Sequence, residues 1–195
     1  INAYGERRGI LVEHYIISSG LREIIEGTAI AKDFTHIYAS SFYYNEHGEP
    51  CWPAQVINYT NKTQFLFRIE KGILDINDNA VNDHFVEGEL RVPFRNIVYI
   101  GDSATDIPCM RLVNSLGGHS VGVYDLENTD SKDTVCRMIR DERIRYYVPA
   151  DYTKGSEMDT LMHQIIDKTA AYEVLEEKHL RDRKEAIIQH MEGRS

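Results

Sequence analysis

Two aspartates, Asp102 and Asp106, stand four residues apart, directly after the apolar stretch 97–100 (IVYI). Tyrosine and β-branched residues favour a packed strand, and Gly101 lets the chain turn sharply at its end. Carboxylates at a strand end and in the following turn can converge on a hard cation such as Mg²⁺, which prefers oxygen ligands. The spacing therefore predicts metal-assisted chemistry at the carboxyl edge of a parallel sheet. Aspartate is also a common turn and N-cap residue, so this motif alone leaves the function open.

Two further positions can bind an anion. Ser18-Ser19-Gly20 follows an apolar stretch and precedes a predicted helix, so a hydroxyl and backbone N–H groups could receive a phosphate there. Lys62 opens another predicted helix, where its ammonium could neutralise the same phosphate. Each also has a plainer interpretation: a serine N-cap for the turn, and a solvated surface lysine for Lys62.

Apolar stretches alternate with helical patterns along the chain. Strands are predicted at 10–17, 35–40, 97–100, 119–124 and 145–148, helices at 1–8, 21–27, 62–72, 106–116 and 156–191, an aromatic hairpin at 42–57 and a loop at 75–96. This alternation predicts an α/β fold with a doubly wound, mostly parallel, Rossmann-like sheet. We expect residues 1–155 to form the core, with a β-hairpin flap, and 156–195 to form a C-terminal helical segment that packs on it. That segment is also a candidate for pairing with a second copy of the chain.

The composition of the chain indicates which kinds of partner and cellular environment to expect. The chain has 195 residues, 42% of them hydrophobic and 27% charged, which is ordinary for a soluble globular protein. The net charge of −9 argues against a nucleic-acid partner, and no apolar run approaches a membrane span. Cys51, Cys109 and Cys136 lack the spacing of a zinc site or a disulfide framework, so we expect reduced thiols in a cytoplasmic protein.

Taken in chain order, three motifs resemble those of the haloacid dehalogenase (HAD) superfamily of hydrolases, specifically its phosphatase branch. YIISSG, with Ser18, is similar to that family's second motif; NKTQ, with Lys62, to its third; and IGDSATD, with Asp102 and Asp106, to its fourth. The resemblance covers about residues 10–155 and implies a HAD-like core that acts on a small phosphorylated substrate with magnesium as cofactor.

The resemblance also implies roles for these residues. Asp102 would bind Mg²⁺ directly, and Asp106 would support the metal site or orient Lys62. Ser18 would hydrogen-bond a phosphoryl oxygen, with Ser19 and Gly20 completing the phosphate turn. Lys62 would stabilise charge on the phosphoryl group and on an aspartate nucleophile. Phosphoryl transfer is catalysed mainly by such positioning and neutralisation of charge.

One motif of the family has no counterpart in this sequence. The first motif, D-x-D at the end of the first strand, supplies the nucleophile, yet the acids before Ser18 are Glu6 and Glu13 only. We therefore expect an N-terminal segment of the same protein to provide that strand. The alternative is a non-catalytic, HAD-like module that binds metal or phosphate. A P-loop nucleotidase is set aside, because the sequence has no G-x-x-x-x-G-K-[ST].

Overall fold

A computed structural model describes residues 1–192 of the chain. The fold is mixed α/β and divides into two compact units. One unit combines residues 1–12 with the residues from 151 onward, and the other comprises residues 13–150.

The larger unit contains two three-stranded sheets. In the first, the strands lie in the order β1 (Tyr15–Leu21), β2 (His36–Tyr44), β3 (Pro50–Gln55), and in the second β4 (Val98–Gly101), β5 (His119–Tyr124), β6 (Tyr146–Pro149). All neighbouring strands in these sheets are parallel except β2 and β3, which form the predicted hairpin. The carboxyl ends of β1 and β2 therefore lie at one edge of the first sheet, and those of β4, β5 and β6 at one edge of the second.

The described part of the chain also contains α-helices, of which the first and the last belong to the smaller unit. They are α1 (Asn2–Arg7), α2 (Arg22–Glu26), α3 (Thr63–Lys71), α4 (Ile107–Ser115), α5 (Thr129–Arg140) and α6 (Glu157–Glu192). Helix α3 ends where the sequence predicts, at Gly72, whose φ of 73° is the left-handed conformation that favours glycine after a helix. Among the described residues, no helix is both long enough and apolar enough to cross a lipid bilayer.

Two apolar clusters hold the larger unit together. One cluster contains side chains of β4, α3, α4 and α5, including Leu66, Tyr99 and Met110, and Ile17 of β1 packs against it. The other joins Tyr38 of β2 to Phe65 of α3, with ring centroids 4.5 Å apart. Both clusters thus include residues of α3, which fixes this helix in place.

The smaller unit is a pair of helices. The Tyr4 hydroxyl of α1 lies 2.9 Å from both carboxylate oxygens of Asp167 on α6, and the Tyr4 ring stacks on His163 at 3.8 Å. Arg8 forms an ion pair with the same aspartate at 3.0 Å.

The long loop after α3 is organised by one buried cation. The Arg68 guanidinium donates to the carbonyl oxygens of Ile73, Asp75, Ile76 and Asp78 at 2.6–3.4 Å. The side chain is 7% exposed, so water cannot easily replace these bonds. A planar guanidinium can serve several carbonyls at once, whereas a lysine ammonium is a compact point charge.

We therefore expect Arg68→Lys to lower the free energy of unfolding by about 2 kcal/mol, because carbonyl acceptors lose their donors. Urea denaturation measures the change. The matched control is Arg111→Lys on the exposed face of α4, which should change it by less than about 0.5 kcal/mol. Equal effects of the two substitutions would contradict this account of the loop.

Candidate functional site

The centre of the candidate site is a buried ion pair between Lys62 and Asp106. The Lys62 ammonium donates to Asp106 Oδ1 at 2.7 Å, although the two residues are 44 positions apart in the chain. Each residue is 6% exposed. Lys62 is the N-cap residue of α3 and Asp106 the N-cap residue of α4. The structure thus joins two of the residues that the sequence singles out and excludes the interpretation of Lys62 as a solvated surface lysine.

Two more side chains hold the Asp106 carboxylate. The Tyr99 hydroxyl of β4 donates to Oδ1 at 2.8 Å, and the Ser103 hydroxyl donates to Oδ2 at 3.1 Å. Burial is the main cause that raises the pKa of Tyr99, so this hydroxyl keeps its proton and remains a donor. With both oxygens engaged, Asp106 is better suited to orienting Lys62 than to binding a metal directly. Of the two roles that the resemblance allows for Asp106, the contacts favour orienting Lys62.

Gly101 is required for this arrangement. A Cβ atom at Gly101 would lie 2.8 Å from Cβ, Cγ and Oδ2 of Asp106, closer than real Cβ atoms approach other atoms. An alanine would push the carboxylate away from its donors.

We expect Gly101→Ala to lower the free energy of unfolding by about 2 kcal/mol, since overpacking a filled site displaces side chains and backbone. Thermal and urea unfolding measure the loss. Gly88→Ala is the matched control, because a Cβ there meets no atom within 4 Å. If the two glycines tolerated alanine equally well, the packing against Asp106 would not constrain this turn.

Asp102 differs from Asp106 in its exposure to solvent and in its hydrogen bonds. It follows β4 directly, it is exposed, and none of the hydrogen bonds and ion pairs within residues 1–192 involves its carboxylate. Its oxygens are therefore available to a ligand. After the same strand, the Asp106 carboxylate is thus bound by neighbouring side chains, whereas the Asp102 carboxylate is available to a ligand.

The serine turn lies at the carboxyl end of β1. Strand β1 uses three residues, Ser18-Ser19-Gly20, where β2 uses one, so the ladder is interrupted there. Ser18 Oγ accepts a hydrogen bond from the Gly20 N–H at 3.0 Å. The following helix α2 has only five residues, so its dipole adds little to anion binding. The three residues therefore lie within β1, as an irregular and partly exposed part of the strand, and not in a turn after it as the sequence predicts. They also lack the helix support that the sequence pattern indicates.

Ser40 connects this turn to the segment that carries Lys62. Its hydroxyl donates to the Ser19 carbonyl at 3.2 Å and accepts from the Ile57 N–H at 3.0 Å. Between Ile57 and Lys62, the Asn61 side chain bonds backbone groups of Val56 and Asn58 and holds the loop. In the described part of the chain, no hydrogen bond joins the serine turn directly to Lys62, Asp102 or Asp106.

The sequence motifs assign no role in the site to three residues of this network, which are Tyr99, Ser103 and Ser40. The signal for Tyr99 is a hydroxyl within an otherwise aliphatic stretch that is predicted to be a buried strand, because a buried hydroxyl needs a partner. Cys109 also lies beneath the site, fully buried, and burial raises the pKa of its thiol to about 11. The thiol is therefore neutral at neutral pH and is not a nucleophile.

The donor chemistry at Asp102 fits magnesium. Mg²⁺ is usually bound through one or two carboxylates, with waters and substrate phosphate oxygens as the other ligands. Across residues 1–192, no group of three histidine, cysteine, aspartate or glutamate side chains is placed to hold a metal. Of the two aspartates that follow β4, only Asp102 has a carboxylate that forms no hydrogen bond or ion pair with a described residue.

Comparison with known proteins gives a distant relative. No protein-family model matches the sequence. A protein of Borreliella burgdorferi, described as uncharacterized, is 24% identical over 172 residues, which cover 81% of this chain and 59% of that protein. The chain thus spans less than two thirds of the relative's length.

Proposed function

We propose that this chain is the C-terminal portion of a magnesium-dependent phosphomonoester hydrolase of the HAD type. The observation that carries the proposal is the buried Lys62–Asp106 pair, together with the available carboxylate of Asp102, which directly follows β4 and lies four residues before Asp106. A buried cation held by a carboxylate costs desolvation energy, so such pairs are weak evidence for stability alone. A lysine positioned to stabilise phosphoryl charge gives this pair a function.

The proposed reaction has two steps. An aspartate carboxylate of the N-terminal segment attacks phosphorus, the P–O ester bond breaks, and the alcohol leaves with a proton from a general acid. Water then attacks the phosphoaspartate and releases inorganic phosphate, which restores the carboxylate. Lys62 would neutralise charge on the phosphoryl oxygens, and Ser18 would donate to one of them. Mg²⁺, held by Asp102, would supply further positive charge at the phosphoryl group.

The arrangement of the two sheets supports the same proposal. Strands β1 and β4 each have one paired edge, with β2 and β5 respectively. Ile17 of β1 packs against the apolar cluster that contains Tyr99 of β4. A parallel strand from the N-terminal segment, inserted between β1 and β4, would join the sheets into one doubly wound sheet. Its carboxyl end would then lie between Ser18 and Asp102.

Hydrogen exchange tests the inserted strand. The backbone amides of β1 and β4 should exchange more slowly in the complete protein than in residues 1–195 alone, because the new strand pairs with both edges. Amides of β5, which is already paired on both sides, serve as the internal control. Unchanged exchange in β1 and β4 would contradict the proposed sheet.

Activity of the complete protein tests the reaction. We expect hydrolysis of p-nitrophenyl phosphate in Mg²⁺, its loss in EDTA, and its return when Mg²⁺ is added in excess. Acid quenching during turnover should trap a phosphoaspartate, detected as an added phosphate by mass spectrometry. Phosphate binding without hydrolysis would favour the non-catalytic module instead. A complete protein without a D-x-D strand upstream of Ile1 would point the same way.

A further inference from the structure

The second half of α6 is a long helix whose side chains are not buried by the rest of the described chain. Every residue from Glu177 to His190 is exposed, including Leu180 at 54% and Ile187 at 52%. A helical segment of this length is marginal in water unless one of its faces is packed. About four helical turns that carry apolar side chains are therefore a candidate interaction surface.

The periodicity of α6 shows which face is involved. In the first half, the buried side chains of Met158, Ile165 and Ile166 lie on one face. At 3.6 residues per turn, that face continues through Glu176, Leu180, Arg183 and Ile187, with Glu177 and Lys184 at its borders. We call these six residues the distal stripe. The face that is buried in the first half of the helix is thus exposed in the second half.

The charges of the distal stripe are arranged symmetrically about Leu180. Glu176 and Glu177 precede it by about one turn, and Arg183 and Lys184 follow it by about one turn. None of these four side chains forms an ion pair with another described residue. By contrast, Lys178 and Asp182, on the opposite face, pair with each other at 2.6 Å. One pair of opposite charges on the outer face is therefore neutralised within the helix, whereas the four charges of the distal stripe are not.

We propose that the distal stripe binds the same stripe of a second copy of this chain, with the two α6 helices antiparallel and crossing at Leu180. Antiparallel pairing places Glu176 and Glu177 of each copy opposite Arg183 and Lys184 of the other. Parallel pairing in register would place like charges together. A two-fold axis at Leu180 makes the interface self-complementary, as closed dimers require. The apolar contribution at the axis comes from Leu180 of the two copies, and the charges set the direction.

Charge reversal in the complete protein tests the pairing. Sedimentation equilibrium should find a dimer for the wild-type protein, and either E176K/E177K or R183E/K184E should weaken the dimer at least about tenfold. The four substitutions together exchange the two charge clusters and should restore the dimer to near wild-type affinity. The control is K178E/D182K, which exchanges the charges of the opposite face and should leave the dimer intact.

Cross-linking tests the position of the axis. With Cys51 and Cys136 replaced by serine, L180C should form an intermolecular disulfide on mild oxidation, because the two copies meet at this residue. K178C, on the opposite face of the helix, should cross-link no more than the parent. Circular dichroism confirms that each variant keeps its helix. A monomeric wild-type protein at 100 μM, a dimer insensitive to either reversal, or a fourfold variant that stays monomeric would overturn the proposal.

Discussion

Asp102→Asn in the complete protein is expected to lower kcat for p-nitrophenyl phosphate by roughly 10²- to 10³-fold, the cost of losing one charge-stabilising group. The substitution keeps the shape of the side chain but removes the negative charge that would hold Mg²⁺. Since the Asp102 carboxylate is exposed and forms no hydrogen bond with another described residue, the fold should not depend on it. Activity should therefore fall while the free energy of unfolding changes by less than about 0.5 kcal/mol.

Steady-state kinetics at several Mg²⁺ concentrations, together with urea unfolding of the same preparations, separate the two effects. The matched control is Asp133→Asn on α5, another exposed aspartate with no hydrogen bond to a described side chain or backbone group. It should leave both kcat and the Mg²⁺ dependence unchanged. Wild-type turnover by Asp102→Asn would refute the assignment of this residue to the metal site.

The strands and helices of this fold were predictable where a stretch of the sequence is mostly apolar or has one clear apolar periodicity. Strand β5, at 119–124, matches its prediction in both bounds, because each of its six residues is buried. Helix α5 was missed, since its 12 residues are mostly polar and few of them, such as Val135, are buried. A local signal for its start was present in Asn128, whose side chain accepts from the N–H groups of Asp130 and Ser131.

Strand β1 shows why the bounds of a strand depend on its partner. The apolar run predicts a strand at 10–17, but the strand is Tyr15–Leu21. Pairing begins only at Tyr15, opposite His36, where β2 itself begins. Leu11, within the predicted run, is 79% exposed. Hydrophobicity alone therefore placed the strand too early, and the interrupted ladder at the serine turn extended it beyond the predicted end.

From the residue pattern alone, the candidate site was predictable as separate residues, and only the family resemblance gave contact between Asp106 and Lys62, as one of two roles for Asp106. Gly101, Asp102 and Asp106 form a local motif, and the positions of their backbone follow from the strand before them. Lys62 reaches Asp106 only because α3 and α4 both pack around one apolar cluster. No local pattern encodes that contact between residues 44 positions apart. The role of Tyr99 is also not encoded by a local pattern, because it depends on which carboxylate lies within reach of the Tyr99 hydroxyl.

Breaking the Lys62–Asp106 pair from either side is expected to cost about 3 kcal/mol of unfolding free energy, because the remaining charge is left buried and unpaired. Asp106→Asn tests this most directly, since the asparagine oxygen can still accept from Lys62 and Tyr99 while the negative charge is lost. Lys62→Met leaves Asp106 with its two hydroxyl donors, Tyr99 and Ser103. Both variants should also inactivate the complete protein.

A double-mutant cycle separates the pair from its surroundings. If the charges act on each other, Lys62→Met combined with Asp106→Asn should cost at least about 2 kcal/mol less than the sum of the single substitutions. The control is the Lys178–Asp182 pair, which is similarly short at 2.6 Å but has side chains that are 66% and 56% exposed. Because water screens that pair, its cycle should give a coupling energy below about 0.5 kcal/mol. Additive effects at Lys62 and Asp106 would mean that their contact is incidental, and the positioning of Lys62 by Asp106 would have to be abandoned.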